Sequence, residues 1–114
     1  MAHSIQTINK RSTFVLISNK GKFIRGNTFN LQFLESSELK NIILVGFTAT
    51  KKLGNAVKRN RAKRIMRELA RTVITKYGKK NSYYVLIAKS SIFDTPFESQ
   101  KIELKKLISR ATKL

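Results

Sequence analysis

The chain is predicted to be an α+β protein, a four-stranded sheet with helices in the order α-β-β-β-α-β-α, on three observations. Asn41 to Thr50 (NIILVGFTAT) and Ser82 to Ala88 (SYYVLIA) are apolar runs of strand formers, as central strands require. Phe29, Leu31 and Phe33 alternate with Asn30 and Gln32, the period of a strand buried on one face. Between the two apolar runs, Ala62, Ile65, Met66, Leu69 and Val73 fall on one stripe at roughly 100° per residue, the mark of an amphipathic helix.

Met1 to Arg11 is polar, and residues 1–8 are expected to be flexible; His3, the lone histidine, is a tail residue with no catalytic or ligand role expected. Ser12 to Lys20 is ambiguous: Phe14, Val15, Leu16 and Ile17 have strand chemistry, yet Ser12 or Thr13 could cap a short helix that Gly21 ends. Gly21 to Gly26 reads as a short edge segment or turn, basic at Lys22 and Arg25. Glu35 to Glu38 is a solvated loop, and Tyr77 to Asn81 is another. Asn55, after Gly54, is placed to cap the central helix with its side-chain carbonyl. Thr95-Pro96-Phe97-Glu98 combines a capping-box pattern with proline at the first helical position, so a last helix is expected to about Ala111, carrying Ile102, Leu104, Leu107 and Ile108. There is no repeat, low-complexity tract or linker, and residues 1–114 are expected to form a single domain.

Charge dominates the composition. Lys+Arg number 24 against 6 Asp+Glu, a formal net charge of +18, so folding works against self-repulsion unless a polyanion is bound, and salt sensitivity is expected. A hydrophobic fraction of 41% is too high for a disordered basic tail. The lack of cysteine excludes disulfides and thiolate zinc sites and agrees with a reducing compartment. No apolar run has the length of a membrane span and the N-terminus lacks the apolar core of a secretion signal, so a cytoplasmic location away from membranes is expected.

The cations concentrate between Thr50 and Arg71, where nine of the 24 face a single acid, Glu68. Lys51, Lys52, Lys58 and Arg59 crowd the positive end of the helix dipole, which disfavours cations by a few tenths of a kcal/mol or more each. An anion from outside relieves that conflict, and exposed amides, a glycine and several cations at a helix start together make a phosphate site. Arginine forks bind phosphate bidentately, and Asn60 can donate and accept at a base edge or sugar hydroxyl. A second surface is the open sheet face around Asn30 and Gln32 beside Phe14, where an aromatic can stack an unpaired base.

Protein-borne catalysis is not expected. The acids Glu35, Glu38, Glu68, Asp94, Glu98 and Glu103 are scattered, with no pair spaced as a metal cage or a general acid and base. Glu68 reads as one half of an intrahelical ion pair. Neither GxxxxGK[ST] nor GxGxxG occurs. Expected catalytic and metal-ligand residues are therefore none.

The run Lys51-Lys52-Leu53-Gly54-Asn55-Ala56-Val57-Lys58-Arg59-Asn60-Arg61-Ala62-Lys63-Arg64 resembles the signature of the protein subunit of bacterial ribonuclease P, with its Arg-Asn-Arg core at Arg59, Asn60 and Arg61. The resemblance covers Ile8 to about Lys106. It implies a short helix at Phe14, Ile17 and Gly21, and a left-handed βαβ crossover from about Ile42 to Ala88. It further implies that Lys51, Lys52, Arg59, Asn60, Arg61, Lys63, Arg64 and Arg67 dock on the catalytic RNA. Phe14, Ile17, Asn30 and Gln32 would line a cleft for the single-stranded 5′ leader of precursor tRNA. The RNA subunit, with Mg²⁺ bound mainly by that RNA, would hydrolyse the phosphodiester, and no protein partner would be required. Ser18 stands where the family often carries a second aromatic, Gln32 where it can carry tyrosine, and Thr7-Ile8 lacks the family's cation. The competing readings are a ribosomal or assembly protein without a substrate, which needs no open cleft, and a DNA-binding module, which would prefer B-form duplex.

Overall fold

The computed structural model describes residues 4–113. In chain order come β1 (Ile5–Thr7), α1 (Arg11–Lys20), β2 (Lys22–Ile24), β3 (Phe29–Glu35), β4 (Ile43–Thr48), a 3-10 turn (Lys51–Leu53) and α2 (Ala56–Leu69). A π turn (Ala70–Ile74) carries α2 into one further turn, α3 (Thr75–Tyr77). Then follow β5 (Ser82–Ala88), a second 3-10 turn (Ser90–Phe93) and α4 (Phe97–Lys113). The strands form one sheet in the order β1-β4-β5-β3-β2. β4 is parallel to both β1 and β5, whereas β3 is antiparallel to β5 and β2.

The sheet therefore has five strands rather than the four expected, and the extra one falls in the segment expected to be flexible. Ile5, Gln6 and Thr7 stand opposite Ile43, Leu44 and Val45, and the Ile8 amide donates to the Val45 carbonyl at 2.9 Å. The Ile8 side chain is buried. This strand is held by the free edge of β4, a partner some forty residues away, so three residues of local sequence carry almost no sign of it. Met1 to His3, the rest of the expected flexible start, lie outside the described residues.

Both faces of the sheet are covered. On one, Phe29, Leu31, Phe33, Val45, Tyr84 and Leu86 meet Ala62, Met66 and Leu69 of α2 and Leu104, Leu107 and Ile108 of α4. The predicted stripe of α2 is thus the core face, and Phe29, Leu31 and Phe33 of β3 are all buried. On the other face Ile17 joins Ile8, Leu39, Tyr83 and Val85, with Phe14, Leu44 and Ile87 packed around them. The ambiguity at Ser12 to Lys20 resolves as helix: Phe14 and Ile17, three apart, face the sheet, while Val15 and Leu16 are left exposed. Its N-cap is Lys10, without a side-chain bond, so neither Ser12 nor Thr13 caps it.

The α4 start also differs in detail. Pro96 stands at its head and accepts from Gln100 N at 3.1 Å, but the Thr95 hydroxyl donates to the Ser91 carbonyl at 2.8 Å. Glu98 pairs with Lys101 at 2.8 Å, and the helix runs two residues past Ala111. Because β4 and β5 are parallel and Phe29 pairs with Ala88, three features share one end of the sheet. They are the turn before α2, the turn after β5 and the β2–β3 turn.

Candidate functional site

At that end the chain enters α2 through a fixed corner. Leu53 is buried and anchors the 3-10 turn. Gly54 has φ of 132°, and a β-carbon there would meet Lys58 Cδ at 2.8 Å, so the position requires glycine. Asn55 caps as predicted: its Oδ1 accepts from Lys58 N at 3.0 Å. The first turn carries no acid, and the remaining early amides have no intrahelical acceptor.

Arg59 is the centre of this corner. It is half-buried, and its Nε is shut off from solvent with no hydrogen-bond partner among the described residues. A buried donor without an acceptor costs about 1–3 kcal/mol, which an incoming oxygen would recover. Beside it is a concavity of about 230 Å³ lined by Ala49, Ala56, Arg59, Asn60 and Lys63. The Arg61 guanidinium lies 5.8 Å from the Phe93 ring centre, and that of Arg67 lies 6.0 Å from the Phe47 ring. Each ring orients a guanidinium without neutralising it. Lys51, Lys52 and Arg64 are exposed. None of these eight predicted docking residues enters an ion pair among the described residues.

Glu68 forms an intrahelical ion pair as foreseen, but its partner is Arg71 three residues on, at 2.6 Å, and not Arg64 on the preceding turn. The hydrogen bonds to Glu68, and then its charge, hold the Arg71 guanidinium still more firmly in its protonated form. Arg71 is thereby the one member of the basic stretch whose charge is answered within the helix.

The predicted cleft residues divide. Phe14 is half-buried against the sheet, and Asn30 and Gln32 are half-buried on the same face. Asn30 Oδ1 accepts from Gly26 N at 3.1 Å, so it also ties the β2–β3 turn. Ile17 is 1% exposed and belongs to the core: it supports Phe14 from below and offers no surface of its own, a correction to its placement in the cleft wall. One residue was missed. Phe23 stands opposite Gln32 in the β2–β3 register and is 52% exposed, so an aromatic ring borders the polar pair. The alternation of Phe23 with buried Ile24 was its only signal, too short within a three-residue strand to read.

Most acids have structural partners. Glu35 pairs with Lys79 at 2.9 Å, Glu68 and Glu98 pair within their helices, and Glu103 holds the β2–β3 turn. Among the described residues no three His, Cys, Asp or Glu side chains converge as a metal site would need, so the donor set does not fit a protein-held metal. Among them, too, no helix is long and apolar enough to cross a membrane.

Fold and corner together define a class: a small basic α+β protein whose central helix starts among cations that no acid of the first turn answers. Within that class the chain belongs to the ribonuclease P family, whose model, described as Ribonuclease P, matches residues 3–112. It is similar to the ribonuclease P protein component of Bartonella quintana, 37% identical over 111 residues, which cover 93% of this chain and 83% of that protein. It is 40% identical over 84 residues to the ribonuclease P protein component of Caulobacter vibrioides, a match covering 74% of this chain. That match spans just over half, 56%, of the Caulobacter protein's length. Among solved structures it is similar to the RNase P protein from Thermotoga maritima, with TM-score 0.79 and 26% identity over 92% of this chain and 96% of that one. The Staphylococcus aureus RNase P protein gives TM-score 0.76 and 27% identity over 92% and 94%.

Proposed function

We propose that this chain is the protein subunit of a bacterial ribonuclease P ribonucleoprotein, assisting its RNA in removing the 5′ leader from precursor tRNA by endonucleolytic cleavage. The observation that carries the reading is Arg59, with a buried, unpartnered Nε beside a concavity shared with Asn60 and Lys63 at a helix start free of acids. Such a site suits a backbone phosphate, and phosphate contacts position an RNA without reading its sequence. Lys51, Lys52, Arg61, Arg64 and Arg67 extend it along the docking surface for the catalytic RNA.

The leader would lie on the opposite sheet face, its bases against Phe14 and Phe23 and its polar edges at Asn30 and Gln32. Phe23 offers a ring where Ser18 and Gln32 lack one, which supports stacking in this chain. Mg²⁺ would be held mainly by the RNA, which would carry out the hydrolysis. The protein's own part is to reduce repulsion between two polyanions and to hold the leader.

The test is cleavage of labelled precursor tRNA by bacterial ribonuclease P RNA at low Mg²⁺, with and without the protein, with leaderless tRNA as a binding control. Correct 5′ cleavage dependent on the protein, with preference for the leader-bearing RNA, is expected. Tight RNA binding without stimulation would instead favour a structural binder such as a ribosomal protein.

A further inference from the structure

A concavity of about 560 Å³ lies between the β2–β3 turn, the turn after β5 and one flank of α4, at the same end of the sheet as the α2 corner but sharing no lining residue with the concavity beside Arg59. That volume falls in the range of about 300–1,000 Å³ typical of ligand sites. Its wall is built by Glu103. Oε2 accepts from Asn27 N at 2.6 Å and Thr28 N at 3.0 Å, and Oε1 accepts from the Thr28 hydroxyl at 2.8 Å. From the other side Ser91 Oγ donates to the Asn27 carbonyl at 2.8 Å and Lys89 Nζ to that of Gly26 at 2.5 Å. The turn fits closely, for a β-carbon on Gly26 would stand 2.5 Å from Glu103 Oε2 and 2.9 Å from Leu107 Cδ1.

Glu103 is the only acid lining the cavity, and both its oxygens are occupied by donors from the turn. Arg25, Lys106 and Arg110 line the same cavity, are exposed, and enter no ion pair among the described residues. Lys106 and Arg110 are four apart on one helix face, an arrangement of like charges that is unfavourable until an anion separates them. Ser99 adds a hydroxyl and Ile102, 59% exposed, an apolar wall. Three free cations, a hydroxyl and an apolar wall around a preformed cavity suit one nucleotide of an RNA strand, with its phosphate on the cations.

The fold also selects which strand. α2 and α4 pack on one face of the sheet, and Phe14, Asn30 and Gln32 occupy the other. We propose that the cavity between the β2–β3 turn and α4 is a second phosphate site, in which Arg25, Lys106 and Arg110 grip a segment of the catalytic RNA other than the one docked at Arg59. This rests on the functional reading above.

The test uses the full chain and the catalytic RNA. Its lack of cysteine allows a photoactivatable group to be placed at Ser99→Cys or, separately, at Asn60→Cys. Lys106→Gln with Arg110→Gln is expected to lower the salt slope of binding by about 2 and affinity at low salt by about tenfold, with unchanged melting behaviour. The Ser99 and Asn60 probes are expected to crosslink to different segments of the catalytic RNA. Wild-type binding with an unaltered slope in the double variant, or no crosslink from Ser99 while Asn60 crosslinks, overturns the second site and leaves the proposed function standing. Crosslinking of Ser99 to precursor tRNA alone overturns the assignment to the catalytic RNA. Failure of the wild-type chain to bind the catalytic RNA at all removes both.

Discussion

The ring of Phe14 occupies the space that a side chain on Gly46 would need. A β-carbon at Gly46 would stand 2.5 Å from Phe14 Cε1 and 2.7 Å from Cζ. The absence of a side chain in the middle of β4 thus lets α1 settle on the sheet with the Phe14 ring over Gly46, on the face that carries Asn30 and Gln32 two strands away. Gly46→Ala should therefore lift α1. The expected loss of stability is about 1–3 kcal/mol by denaturant unfolding, as for other overpacked sites. Discrimination between leader-bearing and leaderless tRNA should fall with it, while affinity for the catalytic RNA is retained. Intact discrimination would detach the position of Phe14 from leader binding.

The docking corner makes a separate prediction, since α2 packs on the other face of the sheet. Arg59→Ala combined with Arg61→Ala should weaken binding to the catalytic RNA and flatten its salt dependence by about two in slope, one for each phosphate that is no longer neutralised. Arg59→Lys retains the charge but loses the planar fork and the Nε donor, so it should keep most of the slope and lose part of the affinity. Equal behaviour of Arg59→Lys and wild type would mean that the buried Nε meets no oxygen in the complex.

What the chain reveals about itself follows from the range of the interactions involved. α2 and its Asn55 cap were legible because the stripe of Ala62, Met66 and Leu69 and the cap to Lys58 N lie within a few residues. β3 and β5 were legible because alternation and continuous apolarity mark half-buried and central strands. β1 was not, because its ladder and the burial of Ile8 come from β4 across the sequence. In α1 local propensity leans towards strand, and the helix was expected only from the resemblance; the sheet decides, by accepting Phe14 and Ile17 and leaving Val15 and Leu16 in solvent. The basic corner could be read from charge alone, whereas Phe23 gained meaning only once the register set it against Gln32.

Phe23 supplies the third prediction. If its ring stacks a leader base, Phe23→Ala should weaken leader-bearing precursor tRNA by about 1–3 kcal/mol, the range for loss of one base–aromatic stack, and leave mature tRNA unaffected. Half of that ring is already in water, so folding stability should change little. Phe14→Ala should affect the same substrate but also cost stability, because Phe14 packs against the core around Ile17. Titrations with leaders shortened one nucleotide at a time would show whether both rings act on the same base.

The fourth prediction concerns pH. The Tyr84 hydroxyl accepts from Lys79 N at 2.8 Å beneath the sheet. Burial pushes its pKa up to about 12, against a weaker downward pull from that hydrogen bond and a small upward one from Glu35. A tyrosine whose folded pKa lies above its unfolded value of about 10 stabilises the fold fully below pH 10 and loses that contribution as pH rises through 12. Stability should therefore fall by a few kcal/mol between about pH 10 and 12, with one proton released on unfolding. Lysines titrate over the same range, so the comparison that isolates Tyr84 is Tyr84→Phe. That variant loses one hydrogen bond, about 1 kcal/mol at neutral pH, but has no phenol to ionise. Its unfolding free energy should converge on that of the wild type as pH rises and then overtake it. Parallel curves would mean that the core opens enough at high pH to let the phenolate reach water without unfolding.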